Sequence, residues 1–285
     1  MGNFILSAFA DEIAASFDVQ LKSLKELSIG LIELRGVDGK SFVELTDEEV
    51  MTVKQKLTEN NIGISALGSP IGKIKVDGDF VSHKKLLTRI MDIGDMLGCK
   101  KIRTFSFYPA DNMNDADFEE KAFSMIGELL DMAESRDFIL YHENEKDIYG
   151  YSPERVEKLA KHFGGRLRVV LDSGNFAFCG VDGSPAYSLL KNYIDYMHIK
   201  DADSEGIIVP PGKGVALIKE TIALLNKERP NKNIILTMEP HLIMFTGLSS
   251  LSNLDDIKHK YSYSSPFEAF KTATDAVKAM IASLD

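Results

Sequence analysis

The sequence predicts an α/β protein of the (β/α)8 TIM barrel class, and three observations carry that expectation. Eight short apolar runs recur along the chain, amphipathic helical stretches separate them, and no Pro/Gly/Ser-rich linker or charge block divides the whole. One domain spanning residues 1–285 follows from that even alternation.

The runs are Phe4–Ala8, Gly30–Leu34, Gly63–Leu67, Lys101–Phe105, Phe138–Glu143, Arg168–Asp172, Tyr196–Ile199 and Ile234–Glu239. Apolar runs this short suit strands buried on both faces, which is the condition of a parallel sheet covered by helices. Several intervening helices carry start signals. Thr46 with Glu49 forms a capping box, and Ser152-Pro153 and Ser265-Pro266 each set an N-cap residue before a proline at the first helical position. Stops are expected at Gly30 and at Gly164-Gly165. An open, doubly wound sheet for dinucleotides would place GxGxxG after a strand, and no strand here has it. The least regular stretch, Leu242–Ser264, reads as an extended loop after the last strand, at the end of a barrel where loops cover sites.

Among 285 residues, 44% are hydrophobic and 27% charged, so there is ample material for a core. The net charge of −10 argues against a nucleic-acid backbone as partner, because phosphate tracking draws on clustered Lys and Arg. The two cysteines, Cys99 and Cys179, have no CxxC spacing and read as small buried hydrophobes in a reducing compartment. The opening residues MGNFILSAFADEI lack a basic n-region, and Leu6 breaks the myristoylation pattern. No apolar stretch approaches the roughly 18 residues of a membrane span. A cytoplasmic protein is the expectation, with no membrane partner and with a homo-oligomer left open.

Four consecutive strands end in ligand-type side chains: FILYHE in Glu143, RVVLD in Asp172, YMHI with His198, and IILTME in Glu239. In a closed barrel the carboxyl ends of all strands converge on one rim. Three carboxylates gathered away from water repel one another unless a cation lies among them. Two Glu, one Asp and one His suit a single divalent ion of the Mg²⁺, Mn²⁺, Co²⁺ or Zn²⁺ group, the imidazole favouring the transition metals.

The chain resembles the sugar phosphate isomerase/epimerase family of xylose isomerase-like barrels over nearly its whole length. The resemblance rests on HENE at 142–145, LDSGN at 171–175, MHIKD at 197–201, PPGKG at 210–214 and MEP at 238–240. It implies that Glu143, Asp172, His198 and Glu239 hold one divalent metal. It also implies that Glu143 and Glu239 act as catalytic acid and base, abstracting a proton beside the carbonyl of a small carbohydrate through a metal-stabilised enediolate. Two departures from the ketose 3-epimerases stand out. Asn175 occupies the place of a substrate-contacting His, and Ser204 that of an Arg.

Strand parity nominates further inward-facing groups: Lys200 above His198, His241 above Glu239, and Glu33 with Arg35 at the end of the second strand. Lys200, Asn175, His241, Arg35 and Glu145 are the candidate substrate contacts, Glu145 also being the rival of Glu143 for the metal. By the same parity His142 faces outward. His83 and His162 fall in helices and read as surface residues, while His259 carries no signal. Lys73 and Lys75 read as solvated unless a phosphate meets them, and the glycines of PPGKG as shaping a turn.

The leading expectation is a metal-dependent sugar isomerase or epimerase. A lyase or dehydratase on a keto-sugar or keto-inositol shares its first step. An apurinic-site endonuclease would need a His-rich multi-zinc cluster, and only six histidines are scattered here. A silent binding module would not need both Glu143 and Glu239.

Overall fold

A computed structural model describes residues 2–244 and 260–284. Eight parallel strands run β1 (Asn3–Ala8), β2 (Leu31–Leu34), β3 (Gly63–Gly68), β4 (Lys101–Thr104), β5 (Ile139–Glu143), β6 (Leu167–Asp172), β7 (Ile194–Ile199) and β8 (Asn233–Met238). Their order around the sheet is β1-β8-β7-β6-β5-β4-β3-β2, which brings the two ends of the chain's strand sequence round to face each other. The barrel is nearly closed: β1 and β2 share no backbone ladder among the described residues. Ser7 Oγ on β1 lies 2.7 Å from Ser65 Oγ on β3, and Ser65 Oγ donates to Ile32 O on β2 at 3.1 Å, so hydroxyls stitch this seam. All eight strands lie where the apolar runs predict them.

The longer helices are α1 (Phe17–Glu26), α2 (Asp47–Asn60), α3 (Phe80–Leu97), α4 (Asp115–Glu134) and α5 (Pro153–Phe163). Two short ones, α6 (Ser173–Phe178) and α7 (Ala186–Leu190), precede α8 (Ile218–Glu228) and α9 (Pro266–Ala282). The expected caps are in place. Thr46 and Glu49 exchange hydrogen bonds at 2.8 and 3.2 Å, Ser152 Oγ accepts from Arg155 N–H, and Ser265 Oγ accepts from Glu268 N–H. Helix α5 stops at Gly164, whose φ of +58° suits glycine. The expected stop at Gly30 needs correction: α1 ends at Glu26, and Ser28 makes the turn at φ +53°. Two hairpins escaped the sequence reading, Gly36–Val37 with Lys40–Ser41 and Asp201–Ala202 with Ile208–Val209. Both are only two residues per strand, too short for a periodic signal.

The main core lies between strands and helices, with Phe17, Leu24, Leu87, Ile90 and Phe270 all buried. Burying each such side chain contributes about 1.5–3 kcal/mol. A second, smaller cluster fills the barrel lumen: Ala66, Tyr141, Val170 and Tyr196, with Ile235 packed against them. The Tyr141 and Tyr196 rings meet edge to face at 5.4 Å. Two residues further along these strands, on the same face, stand Glu143, Asp172, His198 and Thr237. The apolar layer is thus the floor on which the polar one rests. Bulges tune the alignment. The β2–β3 register shifts between Ile32 and Glu33, setting Glu33 beside the small Ala66, and the β6–β7 register shifts at Val169/Val170, setting Asp172 beside His198.

Candidate metal centre

Glu143, Asp172, His198 and Glu239 converge at the carboxyl end of the barrel, each buried, with ligand atoms all within 4.8 Å of one another. Glu143 closes β5, Asp172 closes β6, and His198 lies one residue from the end of β7. Glu239 follows β8, where its N–H donates to Ile199 O at 3.1 Å and extends the strand by one residue.

Each side chain is aimed by a neighbour. Asp172 is also the N-cap of α6: its Oδ1 accepts from Asn175 N–H at 2.9 Å, leaving Oδ2 for the centre. Asn144 clamps the Asp172 backbone, donating to its carbonyl at 2.7 Å and accepting from its N–H at 3.0 Å. Asn175 Nδ2 donates to Asn144 O at 2.8 Å and to Glu143 Oε1 at 3.3 Å. His198 Nε2 sits 3.1 Å from Glu33 Oε2, and the same carboxylate accepts from Tyr196 Oη and Thr237 Oγ1 at 3.1 and 3.0 Å. Glu33 therefore keeps the Nε2 proton and turns Nδ1 inward as the nitrogen that an ion would take.

That inward face is the test of whether a metal fits. Asp172 Oδ2, His198 Nδ1 and Glu239 Oε2 are buried and make no hydrogen bond among the described residues. His198 Nδ1 lies 3.1 Å from both Glu143 Oε1 and Glu239 Oε2, close to the roughly 3 Å that separates adjacent ligand atoms around an ion bonded at about 2.1 Å. Lone pairs crowded at this distance repel one another without a cation or proton between them. The donor set and spacing fit one divalent ion.

The charges say the same. Burial alone would lower the His198 pKa, but Glu143 and Glu33 beside it raise it well above the usual imidazole range. Burial would raise both glutamates. Glu143 is instead held well below the carboxylate range by His198 and Arg103, and Glu239 by Lys200, His198 and His241. Burial lifts Asp172 to about 7 against the pull of Lys200, whose Nζ is 3.1 Å from Oδ2. In the metal-free chain the proton on His198 supplies the positive charge among these carboxylates, the place that a divalent ion would take.

The remaining candidates fall into two groups. Lys200 is buried and pairs with Asp172 and not with its chain neighbour Asp201. Asp201 instead gathers the N–H groups of Gly212, Gly214 and Ala216 at 2.8, 3.0 and 3.1 Å, fixing the PPGKG turn. Arg35 lines the adjoining cavity but directs its donors at protein carboxylates: Glu239 Oε1 at 2.7 Å and both oxygens of Asp11 at 2.9 and 3.1 Å. His241, at φ +48°, places Nε2 at 3.3 Å from Glu12 Oε1 and 3.4 Å from Glu239 Oε1. Glu12, Glu239 and His241 form a second group with metal-ligand spacing, into which the Arg35 guanidinium already brings positive charge. Glu145 stays outside the centre, 3.2 Å from Lys73. Ser204 is exposed.

His142 points away as parity requires, buried with Nε2 at 2.9 Å from Ser106 Oγ. His162 is exposed, but His83 is not: it is buried in α3 and its Nε2 accepts from Gly72 N–H at 2.8 Å. The surface reading of His83 is thereby corrected. Cys99 is buried and Cys179 only partly so. His259 and most of the 242–264 segment lie outside the described residues. Sequence reasoning missed Arg103, buried on β4 with Nε 3.2 Å from Glu143 Oε2. Its signal was present, since an arginine within a strand buried on both faces cannot reach bulk water.

A parallel barrel with a cluster of oxygen and nitrogen ligands at its mouth defines the class. The sequence profile of the xylose isomerase-like TIM barrel family matches residues 21–254, and the chain belongs to that family. No curated protein sequence matches the chain significantly. Among solved structures, the fold is similar to the probable 3-DHS dehydratase AsbF of Bacillus anthracis, involved in petrobactin synthesis (TM-score 0.72, 12% identity, covering 98% of this chain and 99% of that one). It is also similar to a xylose isomerase-like TIM barrel protein of Mycobacterium smegmatis in complex with magnesium (0.69, 16%, 98% and 97%). A third is D-psicose 3-epimerase of Clostridium cellulolyticum H10, solved with D-tagatose (0.70, 13%, 100% and 100%). Among the described residues no helix is long and apolar enough to cross a membrane.

Proposed function

We propose that this chain is a divalent-metal-dependent isomerase or epimerase of a small sugar or sugar derivative, acting by proton abstraction next to a carbonyl. The observation that carries the reading is the convergence of Glu143, Asp172, His198 and Glu239, with two ionised glutamates among the four. Bound there, an ion of the Mn²⁺, Mg²⁺, Co²⁺ or Zn²⁺ group would supply a Lewis acid for a substrate carbonyl.

The chain's own residues do the proton work. Glu143 and Glu239, held ionised by their neighbours, are the candidate base and its returning partner. Arg35 braces Glu239 and Asn175 braces Glu143, so each carboxylate keeps one fixed orientation. Lys200, close to Asp172, is placed to meet developing negative charge. Return of the proton to the opposite face gives an epimer, and return to the neighbouring carbon gives an aldose–ketose isomer.

A lyase or dehydratase on a keto-sugar or keto-inositol is the second reading. Asn175 favours it, because the residue standing where the ketose 3-epimerases place a substrate-contacting His spends its amide on Asn144 and Glu143. The dehydratase among the similar structures supports the same alternative.

Incubation of the metal-loaded protein with a panel of keto-sugars in deuterated water, followed by NMR, tests the proposal. Deuterium at the carbon beside the carbonyl, abolished by Glu239→Gln, is the expected result. Loss of a hydroxyl as water would select the lyase, and retained exchange in the variant would remove Glu239 from the base role.

A further inference from the structure

We propose that Arg103, backed by Lys73, forms a subsite for an anionic substituent, carboxylate or phosphate, on the substrate; the inference rests on the function proposed above. Arg103 projects from the middle of β4, and its guanidinium stacks on Phe105 at 4.4 Å and lies 5.5 Å from the Phe9 ring. The residue is 3% exposed and its side chain makes no hydrogen bond among the described residues, Nε being fully buried. A guanidinium carries five donors, and leaving them unfilled in a buried place is costly. Among the described residues its one ionic neighbour is Glu143, at 3.2 Å.

Other cations nearby are matched within the protein. Lys200 faces Asp172, and Arg35 faces Asp11 and Glu239. Asp172, Glu239 and Glu143 are all candidate metal ligands, so an ion's arrival would weaken each of these pairings. Of the three cations Arg103 is the one with five donors and no side-chain hydrogen bond among the described residues.

The space beside it is shaped for a ligand. A cavity of about 490 Å³ opens there, with Lys73, Arg103, Phe105 and Gly68 on its wall. Lys73 Nζ also lies on the Phe105 ring, at 4.4 Å. Two cations therefore share one aromatic platform next to the centre. Gly68 creates the room: a Cβ there would stand 2.6 Å from Phe9 Cε1 and 3.3 Å from Arg103 Nη2. The wall's acids are already engaged, Asp11 by Arg35 and Glu44 by the Ser41 N–H at 2.9 Å. An anion reaching from the metal centre would meet a planar donor fork, the geometry that reads carboxylate and phosphate.

The test uses the full-length chain, metal-free and magnesium-loaded, titrated at constant ionic strength with inorganic phosphate, glycerate and glycerol. Calorimetry reads anion affinity in every variant, and the Arg103 Nε–H resonance, assigned by through-bond correlation to its own backbone, locates the binding in the wild type and in K73M. At least one anion should give a saturable shift in both metal states, glycerol none, and binding should weaken on the order of tenfold or more in R103K and in K73M. The tighter of the two anions names the substituent. Equal responses to glycerol and the anions, or anion binding undiminished in folded R103K and K73M, overturns the subsite. Should R103K fail to fold, K73M and the wild-type resonance still decide. The metal-free titration reads the subsite without reference to turnover. Anion binding without deuterium exchange on any keto-sugar would therefore overturn the function alone, whereas exchange on neutral sugars without anion binding would overturn only the subsite.

Discussion

His198 and Glu33 meet at 3.1 Å across 165 residues of chain, joining β7 to β2 through the barrel lumen. The contact leaves His198 Nδ1 as the ring nitrogen that faces the other carboxylates. Glu33 also accepts from Tyr196 and Thr237, so one fully buried carboxylate organises three donors. Glu33→Gln keeps an acceptor but a less basic one, and metal affinity should fall about 10- to 100-fold with the fold retained. Glu33→Leu leaves those donors unpaired and should cost about 3 kcal/mol or more. Titration calorimetry with Mn²⁺ and urea unfolding measure the two effects, and unchanged affinity in Glu33→Gln would remove the orienting role.

Gly174 in LDSGN sets the distance between α6 and the end of β7. A Cβ there would stand 2.2 Å from Lys200 O and 2.5 Å from its carbonyl carbon. Gly174→Ala should destabilise by about 3 kcal/mol or more, since backbone has to move. Gly127 in α4 is the control, its nearest neighbour being Phe163 Cε1 at 3.9 Å, and Gly127→Ala should stabilise by up to about 1 kcal/mol. Equal urea midpoints for the two variants would contradict the close packing at Gly174.

His83 gives the fold an acid limit. Burial lowers its pKa from 6.5 to about 4. The unfolded chain therefore takes up this proton first, and stability fully present above pH 6.5 declines as pH falls toward 4. Urea midpoints at pH 7.5 and pH 5 should differ less in His83→Gln, which can still accept from Gly72 N–H, than in the wild type. Parallel losses in both proteins would place the acid sensitivity elsewhere.

These residues also show what a sequence reveals and where it misleads. The barrel was legible because each strand is an apolar run that ends abruptly, and Glu143, Asp172, His198 and Glu239 were legible because those endings break the apolar pattern. His83 was misread although its helix held the answer: His83, Leu87, Ile90, Met91 and Gly94 form one buried stripe at helical spacing. Arg103 was passed over because a basic residue in a strand suggests solvent, and only burial of both sheet faces makes it a lumen group. Arg35 was rightly aimed inward, but its engagement with Asp11 and Glu239 depends on the barrel's curvature, which residue spacing does not encode.

In the metal-free chain the carboxylates around His198 favour its protonated form, and an ion taking Nδ1 has to displace that proton. Apparent affinity should therefore rise with pH until His198 is neutral. Calorimetry in buffers of different ionisation enthalpy should detect proton release on binding. Affinity independent of pH, with no proton released, would mean that His198 is not a ligand.

The central claim is that Glu143, Asp172, His198 and Glu239 share one cation, and counting ions tests it most directly. Titration of the metal-free chain with Mn²⁺, repeated on Asp172→Asn and His198→Gln variants checked for folding, should give one ion per wild-type chain and a loss of about 10-fold or more in affinity in each variant. A wild-type chain that binds no divalent ion, or variants that bind as tightly as the parent, would contradict the account.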